Sequence, residues 1–339
     1  MVYENNQSEL NNLHAPFLLK PSGKDYIWGG QRLKDDFSKN FDLDPLAETW
    51  ECSTHPDGPS TVLSGPFAGM LLLDVLKEHP DFIGSHPRMT DGLPILVKFI
   101  DAKNDLSVQV HPTDAYAAKH ENGSLGKTEM WYVVEAAKDA HLVYGFKRNM
   151  TRESLQEALD TETLETYLQR VPVRKGDVFF IPAGQVHAIC SGCLVAEVQE
   201  SSNLTYRLYD YNRVDKTGKK RALHIEKALD VVNYKGSTQP RQPTKVIRFR
   251  KGLMIESLCH CKYFQVEKVT VDTQRCRELA WFKTRANSFR VLLCLEGCGV
   301  LSWGSKDQFN FFRGDCIFVP ADSVDYNIHG SAVMLRVSC

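Results

Sequence analysis

One phrase of ten residues occurs twice in this chain and constrains its fold more than any other feature. Arg174–Ala183 reads RKGDVFFIPA, and Phe312–Ala321 reads FRGDCIFVPA, at an offset of 138 positions. Each copy follows an apolar run that ends in glutamate, Trp131–Glu135 before the first and Leu292–Glu296 before the second. Gly-Asp followed by apolar residues and Pro is a common turn-and-strand pattern, but the matching flanks favour a duplication. The repeat predicts two similar β-units in tandem.

The rest of the chain also reads mainly as short strands. Runs rich in Val, Ile, Phe and Tyr, separated by Gly, Pro, Asn and Asp, are typical of strands and turns, and they include Trp131–Val134, Asp177–Ile181 and Cys193–Val198. Apolar residues three and four apart predict helices in few places. These are Leu71–Lys77, two short helices within Thr151–Arg170 and a further piece at Leu223–Val232. Many strands with few helices indicate barrels or sandwiches with helical insertions.

The first copy of the repeated phrase continues into a pattern that resembles the second half of the cupin signature. Gly176 and Asp177 turn the chain into a strand, Pro182 and Gly184 make the next tight turn, and His187 starts the following strand. A neutral imidazole that points into a barrel can bind a metal, although a buried histidine with a purely structural role would look the same. We therefore expect a mainly β fold of tandem cupin-type (jelly-roll) β-barrels with short helical insertions.

Three further side chains complete a predicted metal site in the first unit. Strand alternation puts Gln109 and His111 on one face, and Glu129 opens the strand that leads to Glu135. Together with His187 they give a mixed nitrogen and oxygen donor set with a coordination position left for water or substrate, which is typical of catalytic zinc. The usual cupin signature has histidine at the Gln109 position and a shorter gap before its glutamate, so this is an altered cupin.

The second unit has lost these ligands. At the offset of the repeat, His187 corresponds to Asp325, and Glu129 corresponds to Arg290 when the runs ending in glutamate are aligned. We therefore expect residues 1–235 to form the metal-binding catalytic barrel with helical insertions. Residues 244–339 are expected to form a degenerate, structural C-terminal cupin-like barrel. The segment 236–243, with Ser, Thr, Gln and two prolines, is the predicted join.

Composition excludes several classes of protein. Forty-one basic and 42 acidic residues nearly balance, which gives no support to a nucleic-acid or membrane-surface binder. No apolar run reaches the length of a membrane span, and the polar N-terminus lacks a signal-peptide pattern. Ten scattered cysteines suit a reducing compartment, so we expect a cytoplasmic protein. We interpret Cys190–Cys193 as a hairpin turn rather than half of a zinc site.

Six motifs together resemble the short, bacterial type of class I mannose-6-phosphate isomerase. They are Trp28–Gly30, Glu48–Ser53, Leu106–Pro112, Gly126–Trp131, Ile181–His187 and Thr205–Asp210. The resemblance runs from about residue 15 to the C-terminus and is strongest between 90 and 215. It implies a small-molecule sugar phosphate substrate, one zinc ion per chain held by Gln109, His111, Glu129 and His187, and an active-site arginine at Arg207.

Such an isomerase moves a proton between C1 and C2 of the sugar through an enediol, while negative charge builds on the sugar oxygens. Zinc with an open coordination position stabilises that charge, and a general acid–base must lie within reach of the carbon. Lys127 and Glu200 are the candidates for proton transfer, and Arg207 for stabilising the charge or binding the phosphate. The phosphate ligands remain open, with Arg213, Lys24 and Lys98 as unassigned possibilities.

Two other functions fit part of the pattern. His111, Glu129 and His187 form a two-histidine, one-carboxylate triad that also suits an Fe(II)-dependent cupin oxygenase. A non-catalytic sugar-phosphate-binding cupin is the third reading. The fourth donor and the nearby Lys127 and Arg207 favour the isomerase over both. The oligomeric state is not predictable from these patterns.

Overall fold

A computed structural model describes residues 13–86, 92–214, 217–237, 240–276 and 278–339. Its strands are β1 (Phe17–Lys20), β2 (Ser22–Lys24), β3 (Glu48–Cys52), β4 (Thr61–Val62), β5 (Ile95–Asp101), β6 (Val108–Val110), β7 (Glu129–Ala136), β8 (His141–Phe146), β9 (Leu168–Pro172), β10 (Val178–Ile181), β11 (His187–Ile189), β12 (Cys193–Glu200), β13 (Tyr206–Tyr209), β14 (Lys245–Arg250), β15 (Leu253–His260), β16 (Gln265–Asp272), β17 (Ala280–Phe282), β18 (Arg290–Trp303), β19 (Asp307–Phe312), β20 (Cys316–Val319) and β21 (Tyr326–Ser338).

The helices are short and lie between strands. They are α1 (Arg32–Asp35), α2 (Leu72–Glu78), α3 (Asp114–His120), α4 (Arg152–Asp160) and α5 (Ile225–Val231), with 3₁₀ turns at Pro80–Ile83 and Leu164–Thr166. None of these helices has the length and apolar character needed to cross a membrane. The mainly β prediction with helical insertions is confirmed.

The first barrel consists of two antiparallel sheets packed face to face. One sheet has the order β10-β7-β12-β5-β3-β2 and the other has the order β13-β6-β11-β8-β9. Their facing sides share a core that includes Trp131 and Val195 from the first sheet and Leu142 and Ile189 from the second. This core supports the strands that carry the predicted metal ligands.

The second barrel is a single ten-stranded sheet with the order β14-β15-β16-β21-β18-β20-β1-β4, to which β17 adds on β21 and β19 adds on β18. Two long strands, β18 and β21, pair along twelve positions and run through most of the unit. Its interior is filled by apolar side chains such as Leu292, Phe311 and Met334.

Strands from the N-terminal segment join the second barrel, and the two barrels share a core. Strand β1 pairs with β20, so the N-terminal segment belongs to the second sheet, and the predicted boundary after residue 235 does not separate the two sheets. The outer face of the six-stranded sheet packs on the second barrel through residues such as Val97, Val198, Val291 and Leu335. Because this sheet is covered on both faces, every residue of β5 and β12 is buried. Strand β7, which carries the predicted ligand Glu129, lies in this sheet between β10 and β12.

Strand register supports the alignment of the two repeats. Ile181 of β10 pairs with Glu129 of β7, and Val319 of β20 pairs with Arg290 of β18. The structure therefore places Arg290 at the position that Glu129 occupies in the first barrel, as the sequence predicts.

One local prediction was wrong in part. The predicted second helix of Thr151–Arg170 is a single 3₁₀ turn, and the chain then enters β9. Leu168 and Val171 pair with β8 and bury their side chains there, so tertiary pairing overrides the helical spacing. Thr151 caps α4 by accepting from the backbone of Ser154, in agreement with the predicted start of the first helix.

Candidate metal centre and adjoining cavity

Three predicted ligands converge inside the first barrel. His111 follows β6, Glu129 opens β7 and His187 opens β11, and their ligand atoms all lie within 4.8 Å of one another. Nε2 of His111 is 3.5 Å from Oε2 of Glu129, and Nε2 of His187 is 3.3 Å from Oε1 of the same carboxylate. The geometry is that of a site where one cation could contact all three side chains.

The donor atoms of this cluster lack hydrogen-bond partners although they are buried. Among the described residues, both ring nitrogens of His111, Oε1 of Glu129 and Nε2 of His187 have no hydrogen-bond partner, and Oε2 of Glu129 has only its ion pair with Lys127, at 3.1 Å. Leaving buried polar atoms unsatisfied costs free energy, on the order of 1–3 kcal/mol for each group. A bound divalent cation would satisfy all three side chains together, and two imidazoles with one carboxylate are a donor set that zinc accepts. The residues therefore fit a metal.

The protonation states of the cluster also suit metal binding. Nδ1 of His187 lies 2.8 Å from the backbone oxygen of Gln185, to which it donates in the tautomer that leaves Nε2 bare. Burial lowers the pKa of His187, and burial with the nearby Lys127 lowers the pKa of His111 to about 3. Burial alone would raise the pKa of Glu129, but Lys127 and the two histidines hold it well below its usual value. Neutral imidazoles and an ionised carboxylate are the forms that bind metal.

Gln109 lies beside the cluster on the neighbouring strand. It pairs directly with His187 in the ladder between β6 and β11, and with Arg207 in the ladder between β6 and β13. Residues directly opposite each other on antiparallel strands point to the same face of the sheet. The side chain of Gln109 therefore adjoins His187, where it lines a cavity next to the metal cluster.

This cavity, which we call the metal-side cavity, has a volume of about 200 Å³ and is lined mostly by polar side chains. Lys127 and Arg207 both line it, so the structure brings these two predicted residues to the metal cluster. Nζ of Lys127 is 3.1 Å from Oε2 of Glu129, and this lysine is almost fully buried. Nε of Arg207 is buried without a hydrogen-bond partner, while its Nη1 donates to the backbone oxygen of Ala222.

A buried ionic group in the same cavity was missed by sequence reasoning. Nζ of Lys98 lies 3.6 Å from Glu48 and 3.5 Å from Glu197, and all three side chains line the cavity. The indole nitrogens of Trp50 and Trp131 donate to Glu48 and Glu197, respectively, each at 2.8 Å. Burial and the charge of Glu129 raise the pKa of Glu197. Only Lys98 of this group had been considered, as an unassigned phosphate ligand.

Arg213, which the sequence offered as a possible phosphate ligand, is not the arginine that accompanies Arg207 in the metal-side cavity. Arg221 lines it beside Arg207, whereas Arg213 does not line it and contacts the ring of Tyr211. Both Arg221 and Arg213 bind the carboxylate of Asp210, at 2.6 Å each. Arg221 follows a turn eleven residues after Asp210, and no motif marked it.

Glu200 lies outside the metal-side cavity, which corrects its predicted place near the sugar. It ends β12, where successive side chains alternate between faces, and Glu197 takes the face that lines the cavity. Oε1 of Glu200 instead accepts from the backbone nitrogen of Thr128 at 2.7 Å. Its carboxyl lines a second cavity on the other side of the sheet together with Asp114.

Comparisons with known proteins give one consistent result. Residues 17–140 match the family model of the type I phosphomannose isomerase catalytic domain, and residues 254–339 match that of the mannose-6-phosphate isomerase cupin domain. The chain is 35% identical to mannose-6-phosphate isomerase ManA of Bacillus subtilis over 317 residues, which cover 94% of this chain and 96% of that protein. It is 34% identical to the mannose-6-phosphate isomerase of Streptococcus mutans over 306 residues, 90% of this chain and 92% of that one.

A solved structure agrees with this result. The crystal structure of mannose 6-phosphate isomerase from Bacillus subtilis matches with a TM-score of 0.88 at 34% identity. The match covers 96% of this chain and 99% of that chain. Both barrels and the join between them are therefore arranged as in that protein.

Proposed function

The chain belongs to the mannose-6-phosphate isomerase family, and we propose that it interconverts mannose 6-phosphate and fructose 6-phosphate with one zinc ion per chain. The observation that carries the proposal is the buried cluster of His111, Glu129 and His187, whose donor atoms lack partners beside a polar cavity lined by cations. The family supplies the reaction class, aldose–ketose isomerisation, and the cluster supplies a reason for a metal.

His111, Glu129, His187 and Gln109 would hold the ion. When bound, a divalent cation with an open position supplies Lewis-acid stabilisation of negative charge on the sugar oxygens. The donor set of two histidines, a carboxylate and an amide oxygen favours zinc among common cellular metals. Lys127, 3.1 Å from Glu129, keeps that carboxylate ionised and ready to coordinate.

Proton transfer between C1 and C2 through an enediol needs a side chain in the metal-side cavity. Lys127 lines the cavity and remains the predicted candidate, whereas Glu200 does not reach it. We assign the carboxyl role to Glu197 instead, because it lines the cavity beside Lys127, and burial with the charge of Glu129 raises its pKa, which favours a carboxyl that can hold a proton. Lys98 lies between Glu197 and Glu48 and balances their charges.

Arg207 and Arg221 are the groups proposed to bind the phosphate. Both line the cavity, and the carboxylate of Asp210 orients Arg221 through two hydrogen bonds at 2.8 and 2.6 Å. A guanidinium held in this way presents its remaining donors as a rigid fork, which matches a phosphate. Nε of Arg207 is buried without a hydrogen-bond partner, so it is available to donate to a phosphate oxygen.

The oxygenase and sensor readings receive no independent support from the described residues. The triad itself is compatible with Fe(II), but a paired-arginine wall beside it suits a phosphorylated sugar rather than a hydrophobic oxygenase substrate. We also propose a cytoplasmic location, since all ten cysteines are free thiols in the structure, as expected in a reducing compartment.

A coupled assay on mannose 6-phosphate, run before and after chelation, tests the proposed function. We expect fructose 6-phosphate formation in the protein as purified, loss of at least about tenfold in rate after chelation, and recovery with stoichiometric zinc. Oxygen uptake is measured in parallel. Unchanged turnover in metal-free protein, or oxygen uptake without isomerisation, would contradict the proposal.

Arg221→Ala and Arg213→Ala form a matched pair for the phosphate assignment. Both arginines bind Asp210, but only Arg221 lines the cavity. Loss of a charge-assisted hydrogen bond costs about 1.5–3 kcal/mol, so Arg221→Ala should raise the KM for mannose 6-phosphate roughly tenfold or more. Arg213→Ala should leave the KM near its original value. Equal effects of the two substitutions would show that Asp210, not Arg221, matters to the substrate.

A further inference from the structure

A second cavity lies between the two barrels, and we call it the interbarrel cavity. Its volume is about 530 Å³, larger than that of the metal-side cavity and within the range that proteins use for small-molecule ligands. Gln265 pairs with Ser338, and Arg290 opens the adjoining strand, so these three belong to its wall on the second barrel. Asp114 and Glu200 belong to its wall on the first barrel.

Arg290 is the residue of this wall whose charge is not matched by a carboxylate in the described part of the chain. Its Nη1 donates to the backbone oxygens of Ser288 and Phe289, at 2.9 and 2.8 Å. The neighbouring carboxylate of Glu267 is bound by Arg336 at 2.7 Å instead. Burial and the charge of Arg336 lower the pKa of Arg290, so an anion beside this guanidinium would be stabilised.

Among the described residues that line the interbarrel cavity, the other permanent charges are paired. Nζ of Lys262 is 3.5 Å from Asp114, and the hydroxyl of Tyr263 donates to the same carboxylate at 3.0 Å. Burial and Asp114 raise the pKa of Glu200 to about 8, so this carboxyl keeps its proton near neutral pH. His260 also lines the cavity. The acidic groups of the wall therefore leave the charge of Arg290 available to a ligand.

We propose that the interbarrel cavity binds a small metabolite through an oxyanionic group, a phosphate or a carboxylate, with Arg290 as its anchor. Arg290 occupies the position that Glu129 has in the first barrel, so the second barrel carries a guanidinium where the first carries a metal ligand. The planar fork of a guanidinium matches oxyanions geometrically, and Ser338, Gln265 and Asn287 supply polar groups around it.

This site lies against the backbone of the metal-bearing strand. Glu200 lines the interbarrel cavity and accepts from Thr128, which stands between Lys127 and Glu129 in the chain. A ligand that contacts Glu200 is therefore separated from the metal cluster by one strand. The site nevertheless differs from the metal-side cavity in every lining residue.

Alkylation of the cysteines in the wall tests the site without using catalysis. Cys261 and Cys339 line the interbarrel cavity, and exposed Cys298 does not. The alkylation rate of each cysteine by iodoacetamide is measured by peptide mass spectrometry in inorganic phosphate, in malonate and in chloride at matched ionic strength. We expect phosphate or malonate to slow Cys261 and Cys339 about fivefold at four times its dissociation constant, with Cys298 unchanged. The two arms separate a phosphorylated ligand from a carboxylated one.

Variants assign the protection to Arg290. Arg290→Gln should lose it, Arg290→Lys should keep only part because the charge stays while the fork is lost, and Arg221→Ala in the other cavity should keep all of it. Unfolding midpoints of all variants are measured first, and Arg290→Lys alone decides if the glutamine variant does not fold. Absence of protection by both oxyanions, or equal protection in the wild type and the Arg290 variants, would overturn the proposal.

Discussion

In the first barrel, β7 places Glu129 opposite Ile181 of β10, and in the second barrel β18 places Arg290 opposite Val319 of β20. In both pairs the partner strand lies between Gly-Asp and Pro-Ala, and its last residue is apolar. The side chain opposite this apolar residue changes from a carboxylate to a guanidinium. The duplication has kept the backbone and reversed the charge.

A neighbouring pair of positions shows the same reversal. Lys98 pairs with Glu197 in the first barrel, and Glu267 pairs with Arg336 at the equivalent ladder position in the second. In each barrel the two side chains form an ion pair. The cation lies on β5, the first strand of its pair, in the first barrel, and on β21, the second strand of its pair, in the second barrel. Opposite charges at paired positions stabilise either arrangement, so this position can drift without loss of fold.

The interiors of the two barrels differ in the arrangement of their buried polar atoms that lack hydrogen-bond partners. Buried polar atoms without hydrogen-bond partners converge on one cluster in the first barrel, whereas in the described part of the second barrel they belong to separate residues such as Trp303 and Ser323, and apolar residues such as Leu292 and Met334 fill much of the interior. Unsatisfied polar atoms lower stability, and packed apolar cores raise it. The second barrel also covers the outer face of the six-stranded sheet. The comparison indicates that a stable scaffold in one repeat compensates for a costly site in the other.

The largest effect is expected when His187 is replaced, and its counterpart in the second barrel, Asp325, provides the control. His187→Ala removes a ligand from a cluster that has only one other imidazole, so we expect zinc content to fall to near zero and kcat to fall more than about a thousandfold. Asp325 only accepts from the backbone of Thr284 at its surface position, so Asp325→Ala should leave both quantities unchanged. Zinc analysis and the coupled assay measure the two variants side by side. Retained zinc in His187→Ala would remove this histidine from the ligand set.

The next largest effect is expected from the two equivalent ion pairs, Lys98 with Glu197 and Arg336 with Glu267. Lys98→Met leaves the buried carboxylates of Glu48 and Glu197 without the lysine that pairs with both, and we expect kcat to fall about a hundredfold through lost electrostatic stabilisation. Arg336→Met leaves Glu267 alone in the second barrel and should cost about 3 kcal/mol of unfolding free energy with kcat unchanged. Steady-state kinetics and urea unfolding are measured on both. A matching loss of kcat in the Arg336 variant would contradict the division of roles.

The sequence was sufficient for features that depend on local spacing. His111, Glu129 and His187 each lie at the end of a strand bounded by turn residues, and the repeat aligns Glu129 with Arg290, so both the cluster and its loss in the second barrel could be predicted. Strand alternation over three residues was enough to put Gln109 beside the cluster.

Features that depend on non-local pairing could not be predicted in this way. Glu197 and Glu200 lie in one fully buried strand. The bulge after Leu194 shifts the alternation of side chains along it, so the sequence does not show which of the two faces the metal cluster. The pairing of β1 with β20 joins segments about 300 residues apart, which no local pattern encodes. Arg221 reaches the cavity only because Asp210, eleven residues away, holds it.

At the boundary between the barrels, Glu200 predicts a pH dependence of stability. Burial and Asp114 raise its pKa to about 8, whereas a glutamate in the unfolded chain titrates near about 4.3. Its contribution to stability is therefore full below about pH 4 and is lost as pH rises through about 8. Glu200→Gln cannot ionise, so the wild type should lose about 2.5 kcal/mol relative to this variant between pH 6 and pH 9.

Urea unfolding of metal-loaded protein at the two pH values measures this difference. Glu121→Gln is the matched control in the first barrel, because Lys227 and Tyr206 lower the pKa of Glu121 and leave it ionised throughout this range. Parallel pH profiles for the wild type and Glu200→Gln would show that Glu200 is already ionised in the folded protein.

The remaining positions of the metal site can be aligned through β17. Tyr326 pairs with Phe282, so continuing this register by one residue sets Lys283 opposite Asp325, as Gln109 is opposite His187. Two residues further on, Arg285 stands where the first barrel has His111. Two exposed cations thus stand at the positions of Gln109 and His111, and neither a lysine nor an arginine side chain is a usual metal ligand.

The smallest expected effect, on zinc content, follows from the residues at these two positions. Asp325→His combined with Arg290→Glu restores a histidine and a glutamate at two of the ligand positions in the second barrel. Because Lys283 and Arg285 still occupy the other two, we expect the double variant to bind one zinc per chain, as the wild type is proposed to do. Zinc analysis after dialysis against metal-free buffer counts the bound equivalents. A second equivalent in the double variant would mean that two ligand residues suffice on this backbone, and that the residues at the other two positions do not distinguish the barrels.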